Sequence, residues 1–257
     1  MKATLTVLGS GTSMGVPTIG CDCAVCRSTD PRDRRTRPSV LIEYDGRNVL
    51  IDTTPDFRQQ AIREKIRRLD AVLYTHPHAD HILGIDDLRP LSFLHKPNRL
   101  PLYARPDAAR FIREMFRYIF DADYKFGGLP QVELKNLEGS VDLFGASFEP
   151  VSVIHGDSEI YGFRFGSAAY LTDHSEIPEA SLSRLENLDI LFLDALRYKP
   201  HPTHSTVADS LRTVEILKPR RAFFTHICHD LPHEQTNRSL PENVRLSYDG
   251  MKLEFEI

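Results

Sequence analysis

The chain has 257 residues, 41% hydrophobic and 26% charged, enough to bury a sizeable core and too apolar for a disordered chain. Lys and Arg number 32 against 36 Asp and Glu, so the net charge of -4 excludes a general attraction to polyphosphates or anionic membranes. Histidine is the unusual component, with 11 residues, six of which are His76, His78, His81, His226, His229 and His233.

The first residues carry one Lys and an apolar run that breaks at Gly9, short of the core of a signal peptide. No stretch approaches the ~20 apolar residues of a membrane span. Three of the four cysteines are crowded at Cys21, Cys23 and Cys26, a spacing poor for long disulfide bridges, so a soluble protein of a reducing cytoplasm is expected.

Residues 3–8 read as a buried strand running into a Gly-rich turn, and 39–44 and 48–52 as a hairpin around Asp45 and Gly46. A helix is predicted over 55–68, a buried strand over 70–75, a helix over 86–94, a strand over 100–104 and a helix over 106–119. Residues 121–140, with Gly127 and Gly128, read as irregular. Farther on come a strand at 170–173, a helix at 178–185, a strand at 188–194, a helix at 204–217, and strands at 221–225 and 251–257. Strand, helix, strand with an Asp closing the first strand and another opening the second occurs twice, at Asp52 and Asp70 and at Asp173 and Asp189, which suggests a diverged internal duplication. No linker-like tract divides the chain, so a single domain over 1–257 is expected.

His76, His78, Asp80 and His81 directly follow a buried strand, where a loop at a sheet edge can turn several side chains toward one point. Imidazole and carboxylate suit Zn, Mn or Fe, and this alternation can serve two ions. His155, Asp173 and His226 each follow an apolar run, which puts them at a rim rather than inside a core. Cys21, Cys23 and Cys26, with His229 three residues past His226, have the composition of a tetrahedral zinc site.

In these ordered motifs the chain resembles the metallo-β-lactamase superfamily. The resemblance implies an α/β fold, a four-layer αββα sandwich with pseudo-two-fold related halves, and two divalent ions, Zn or Mn. By similarity His76, His78 and His155 would hold one ion, Asp80, His81 and His226 the other, with Asp173 between them and Asp52 orienting a ligand. Two ions about 3.5–4 Å apart lower the pKa of a shared water toward neutrality, and a bridging hydroxide would attack phosphorus. Neutral imidazoles leave such a pair cationic, which favours an anionic substrate. Gly9 to Ser13, Gly15 to Pro17, the cysteine cluster and Thr225 to His229 look like the PhnP-type phosphoribosyl 1,2-cyclic phosphate phosphodiesterases, in which the cysteines and second histidine bind a structural zinc.

A leaving alkoxide needs a proton. His204, read at the start of a helix and matching a histidine that contacts phosphate in the phosphodiesterase and tRNase Z branches, is the candidate acid, with His201 a near alternative and Arg197 and Lys199 possible assistants. Asp80 and His204 are thus the candidate catalytic residues. The expected function is a di-metal hydrolase of a small cyclic or sugar phosphodiester, and the resemblance favours a homodimer. The alternatives are tRNA 3′ processing and a non-catalytic cofactor carrier of the same fold. RNA is disfavoured because Arg105, Arg110, Arg113, Arg117 and Lys125 are interleaved with Asp107, Glu114, Asp121 and Asp123 rather than forming a basic stripe. β-Lactamase, glyoxalase and flavodiiron activities fit less well.

Overall fold

A computed structural model describes residues 1–121 and 128–257; Asp123, Lys125 and Gly127 lie outside them. Strands β1 (Lys2–Gly9), β2 (Ser39–Tyr44), β3 (Arg47–Ile51), β4 (Ala71–Leu73), β5 (Leu100–Ala104) and β6 (Val132–Asn136) lie side by side in that order. Strands β7 (Val141–Leu143), β8 (Ala146–His155), β9 (Ser158–Phe165), β10 (Ala168–Leu171), β11 (Ile190–Asp194), β12 (Arg221–Thr225) and β13 (Val244–Leu246) form a second sheet. The closing strand β14 (Lys252–Glu256) returns to the free edge of β1.

The suspected duplication is visible in strand direction. From β1 to β6 the neighbours pair antiparallel twice and then parallel three times, and β8 to β13 repeat that sequence. Asp70 and Asp189, just before β4 and β11, both bind arginines, Arg47 and Arg68 in one half and Arg220 and Arg221 in the other.

Each sheet buries both faces, which is why its strands read as continuous apolar runs. Val7, Ile42, Val49 and Leu73 of the first sheet pack on Phe148, Phe163, Phe165, Tyr170 and Phe192 of the second. The outer face of the first sheet is covered by α1 (Phe57–Arg63), α2 (Ala79–Ile82), α3 (Arg89–Ser92), α4 (Pro106–Met115) and α5 (Arg117–Phe120), through Phe57, Ile82, Ile112 and Ile119. The second sheet is covered by α6 (Glu179–Leu182) and α7 (Val207–Leu217), with α8 (His233–Ser239) beside β13. The result is the four-layer αββα sandwich. No helix among the described residues is long and apolar enough to cross a membrane.

Several predicted elements change their ends. The helix expected over 55–68 stops at Arg63, because Lys65 adopts a left-handed conformation at φ 56°. The segment 86–94 is broken into two 3-10 turns flanking α3, whose second residue, Pro90, has no N–H to continue a helix. The helix expected over 106–119 divides at Phe116. The stretch 121–140 is not wholly irregular, since β6 runs through it with alternating burial and extends the sheet in parallel register with β5. Helix α7 begins at Val207 rather than 204: Thr206 and Asp209 form a reciprocal capping box.

The N-terminal loop 10–36 is tied to the body by Asp249. Its carboxylate, 8% exposed, accepts from the amides and hydroxyls of Ser10 and Thr36 and from Arg63. Replacing Asp249 by Ala leaves those donors unpaired, and a loss of about 2–4 kcal/mol in urea unfolding is expected. An unchanged unfolding midpoint would show that the loop is held without it.

Candidate metal centre

The chemistry-bearing residues lie where strands of both sheets end. Asp52, Asp173 and His226 follow β3, β10 and β12 and adopt left-handed backbone at φ 65°, 54° and 56°. That conformation is rare outside glycine and reverses the chain at the strand end. His76 to His81 follow β4 and enter α2. This segment docks on the residues after β3 through Thr53 N–H to His81 O and Gly84 N–H to Thr53 O, at 2.8 and 2.9 Å. A Cβ on Gly84 would fall 2.1 Å from the Thr54 carbonyl oxygen, so only glycine permits that approach. His155 closes the β8–β9 hairpin, whose turn uses Gly156 at φ 60°.

Two cradles result. In the first, His76, His78 and His155 converge, each offering a ring nitrogen within 4.8 Å of the others. His155 Nδ1 lies 2.8 Å from the Thr203 carbonyl, which can only accept; Nδ1 therefore carries the proton and Nε2 keeps its lone pair. In the second, Asp80, His81, Asp173 and His226 meet: His81 Nε2 is 3.3 Å from carboxylate oxygens of both Asp80 and Asp173, and His226 Nε2 is 3.5 and 3.1 Å from the same pair. Asp173 Oδ2 also lies 3.9 Å from His76 Nε2, so this carboxylate stands between the cradles. Each cradle draws side chains from both halves of the fold.

Asp52 does not enter a cradle. Fully buried, it accepts from Thr75 N–H and Oγ1–H at 2.9 and 2.8 Å and from His81 Nδ1–H at 2.7 Å, which leaves the lone pair of His81 Nε2 facing the second cradle. Charge explains what the cradles require. Burial alone would raise the carboxyls of Asp80 and Asp173, yet the adjacent histidines, His81 for Asp80 and His226 then His81 for Asp173, hold both below the carboxylate range. The same carboxylates overcome the effect of burial on His226 and push it up to about 9. The buried carboxylates thus demand positive charge, and His76 Nε2, His81 Nε2, His226 Nε2 and Asp80 Oδ2 make no hydrogen bond that would satisfy them. A set of imidazoles and carboxylates with unpaired, convergent atoms fits divalent cations.

His204 stacks on His226 with ring centroids 4.6 Å apart and tilts against His155 at 4.8 Å, so it overhangs both cradles. Its Nδ1 lies 2.6 Å from Oδ2 of the buried Asp194. Burial, and then His226, lowers His204 to about 4, and burial raises Asp194 well above the carboxylate range. His201 lies 5.0 Å from His204, centroid to centroid. Arg197 points back to the carbonyls of Lys199 and Pro200, so it holds its own loop.

A separate cluster joins the N-terminal loop to the segment after His226. The sulfurs of Cys21, Cys23 and Cys26 lie 3.3, 3.8 and 3.3 Å from His229 Nδ1. Burial pushes the Cys26 thiol up to about 11, whereas the Cys26 N–H lowers Cys23, a split that a shared cation would remove by holding all three as thiolates. Three sulfurs and one imidazole nitrogen suit zinc. Cys228 stands outside this cluster; its carbonyl and that of Leu231 accept from the fully buried Arg35 guanidinium, which also binds Asp33.

The family model for the Beta-lactamase superfamily domain matches residues 47–227. The chain belongs to the metallo-β-lactamase superfamily. A solved structure described as a new diphosphatase from the PhnP family is 62% identical, covers 99% of this chain and 98% of its own, and superposes with a TM-score of 0.94, so the chain is a PhnP-like member of the superfamily. An octanoyltransferase of Porphyromonas gingivalis is 39% identical over 96% of this chain but 50% of its own length. A ribonuclease Z of Bradyrhizobium diazoefficiens is 32% identical over 54% of this chain and 47% of its own. The chain thus spans about half the length of these two curated relatives. Zn(2+)-bound PqqB from Methylobacterium extorquens, 20% identical with a TM-score of 0.77 over 97% of this chain and 99% of its own, shares the superfamily fold.

All the metal ligands expected from the sequence fall in these clusters, with Asp52 behind His81 and His204 over both cradles, whereas Arg197 holds its own loop and His233 packs on Tyr248. Sequence reasoning missed Asp194 and Thr75. Asp194 carries a legible signal, because it ends a buried strand as Asp52 and Asp173 follow theirs. Metal analysis of the purified protein should find up to three ions per chain, one of them lost selectively in Cys21→Ser; two at most, with no selective loss, would remove the cysteine site. Asp52→Asn should weaken metal binding about 10–100-fold in competition with a chelating dye, and unaltered affinity would show that His81 needs no orienting partner.

Proposed function

We propose that the chain is a metal-dependent hydrolase of small phosphodiesters, cutting a P–O bond in a cyclic or sugar phosphodiester or in a diphosphate bridge, the linkage named for its 62% identical relative. The observation that carries this reading is the placement of His204: backed by the buried Asp194 and stacked on His226, it stands over both cradles, where a leaving group would depart.

His76, His78 and His155 would hold one divalent ion and Asp80, His81 and His226 the other, with Asp173 reaching both. Bound there, the ions would supply an activated water and positive charge for the phosphoryl oxygens. The protein's own residues do the rest. Water supplies the oxygen of the new P–O bond and gives up a proton to solvent, the bond to the leaving oxygen breaks, and that oxygen takes a proton from His204 Nε2, which solvent then restores. With one proton shared between Asp194 Oδ2 and His204 Nδ1, Nε2 keeps its own proton and can donate it. After transfer the pair remains as carboxylate and Nδ1–H, already oriented at 2.6 Å. Asp52 keeps His81 aligned throughout, and the carboxylates of Asp80 and Asp173 fix where positive charge can sit.

Precursor RNA is a weaker fit. Arg105 is paired with Asp107 and Glu159, and Arg113 donates to the Leu134 carbonyl, so neither belongs to an open basic face. A carrier role is also disfavoured, because both cradles have their full set of donors.

His204→Ala should lower turnover of a cyclic ribose phosphate, whose alkoxide leaving group needs the proton, roughly 10²–10⁴-fold while metal content stays as in the parent protein. Loss of a metal in that variant would instead make His204 a ligand. If metal-loaded protein hydrolyses no diester or diphosphate in a panel of linear nucleic acids, cyclic nucleotides, cyclic sugar phosphates and dinucleoside diphosphates, the reading falls.

A further inference from the structure

We propose that His201 forms a leaving-group subsite that binds the oxygens of a second phosphate, which makes a disubstituted diphosphate the preferred substrate class over a cyclic sugar phosphodiester. This rests on the hydrolytic reading above and adds to it a residue and a choice of substrate.

The protonation pattern of the ring follows from its neighbours. The Thr203 backbone N–H points at His201 Nδ1 at 3.3 Å, and the Thr203 hydroxyl lies 3.2 Å from the same nitrogen. A backbone amide can only donate, so Nδ1 is the lone-pair nitrogen and a neutral ring carries its proton on Nε2. Thr203 is itself fixed to the first cradle. Its carbonyl accepts from His155 Nδ1, and its methyl packs against Gly156 so closely that a Cβ there would lie 2.8 Å from it. One residue thus sets both the lone pair of His155 toward the cradle and the donor nitrogen of His201, whose ring lies 5.0 Å from that of His204.

The three rings His226, His204 and His201 form a series leading outward. His226 is 1% exposed, His204 stacks on it at 4.6 Å, and the half-buried His201 follows at 5.0 Å from His204. If His204 protonates the leaving oxygen, the next atoms of the leaving group lie beside His201. In a cyclic sugar ester those atoms are carbon and need no donor. In a diphosphate they are a phosphorus with two further oxygens that share a negative charge, which an N–H donor pre-set by the backbone suits. The loop is held in place independently of substrate by Arg197, which donates to the carbonyls of Lys199 and Pro200, both at 3.1 Å.

The test compares two probes on the metal-loaded protein. Diadenosine 5′,5″-diphosphate releases AMP whichever phosphorus is attacked; the p-nitrophenyl ester of AMP offers a leaving group without a second phosphate. His201→Ala should lose at least tenfold more kcat/KM on the diphosphate than on the ester, chiefly through KM, and His201→Gln, which restores a donor near the Nε2 position, should recover most of it. In nitrogen-15 spectra of the imidazoles, His201 Nδ1 should appear as the unprotonated nitrogen, and AMP should shift the Nε2–H signal. Equal losses on both probes, no loss on either, or a protonated Nδ1 in the neutral ring would overturn the proposal. Hydrolysis of the ester but not the diphosphate by the parent protein would overturn it while leaving the diesterase reading standing. Hydrolysis of neither would overturn both.

Discussion

Asp80 and Asp173 are carboxylates placed where water cannot solvate them, and most of the architecture around them answers that problem. A buried carboxylate is costly unless opposite charge and hydrogen bonds surround it. Here three imidazoles, His76, His81 and His226, crowd the pair, and protons alone satisfy them poorly, since His81 and His226 are driven to hold protons while His76 is pushed well below its usual range by burial and by the adjacent His81. Divalent cations resolve the conflict because they bring the charge without needing the imidazoles to ionise. The donor set is therefore better suited to metal than to water or to internal ion pairing.

Holding such a set together requires the chain to stop and turn at defined points. Left-handed backbone at Asp52, Asp173 and His226 is strain of the order of 1–3 kcal/mol each, tolerated only because the surrounding sheets over-determine the positions. Thr75 and Asp52 behind His81, the Thr203 carbonyl behind His155 and Asp194 behind His204 then fix which nitrogen of each ring faces the cradles. The arrangement puts rigidity behind the nitrogens that face the cradles and leaves the side around His201 and His204 half open.

Much of this was legible in the sequence because the signal is local. His76 to His81 fall in one turn after an apolar strand, and His155, Asp173 and His226 mark strand ends. The two-half architecture was legible for the same reason, through Asp52 and Asp70 echoed by Asp173 and Asp189. The strand end at Asp194 was legible too, but not its role, since its partnership with His204 depends on parallel pairing that sets Asp194 opposite Thr225 and so next to His226. Strand β6 was hidden because two of its residues, Glu133 and Lys135, face solvent and pair with each other, so its apolar face is only Val132 and Leu134. Helix ends failed where one residue, such as Pro90 or Lys65, overrode a longer periodic pattern.

The sharing of each cradle between the two halves has a thermodynamic side. His76, His78, Asp80 and His81 come from the first sheet's loops, whereas His155, Asp173 and His226 come from the second's. Neither half alone carries a complete set, so ions would bind the docked state more tightly than either half, and mass action would couple binding to docking. Ions held there would in that sense cross-link the sheets, and the free metal concentration would become a variable in the stability of the whole sandwich as well as in its chemistry.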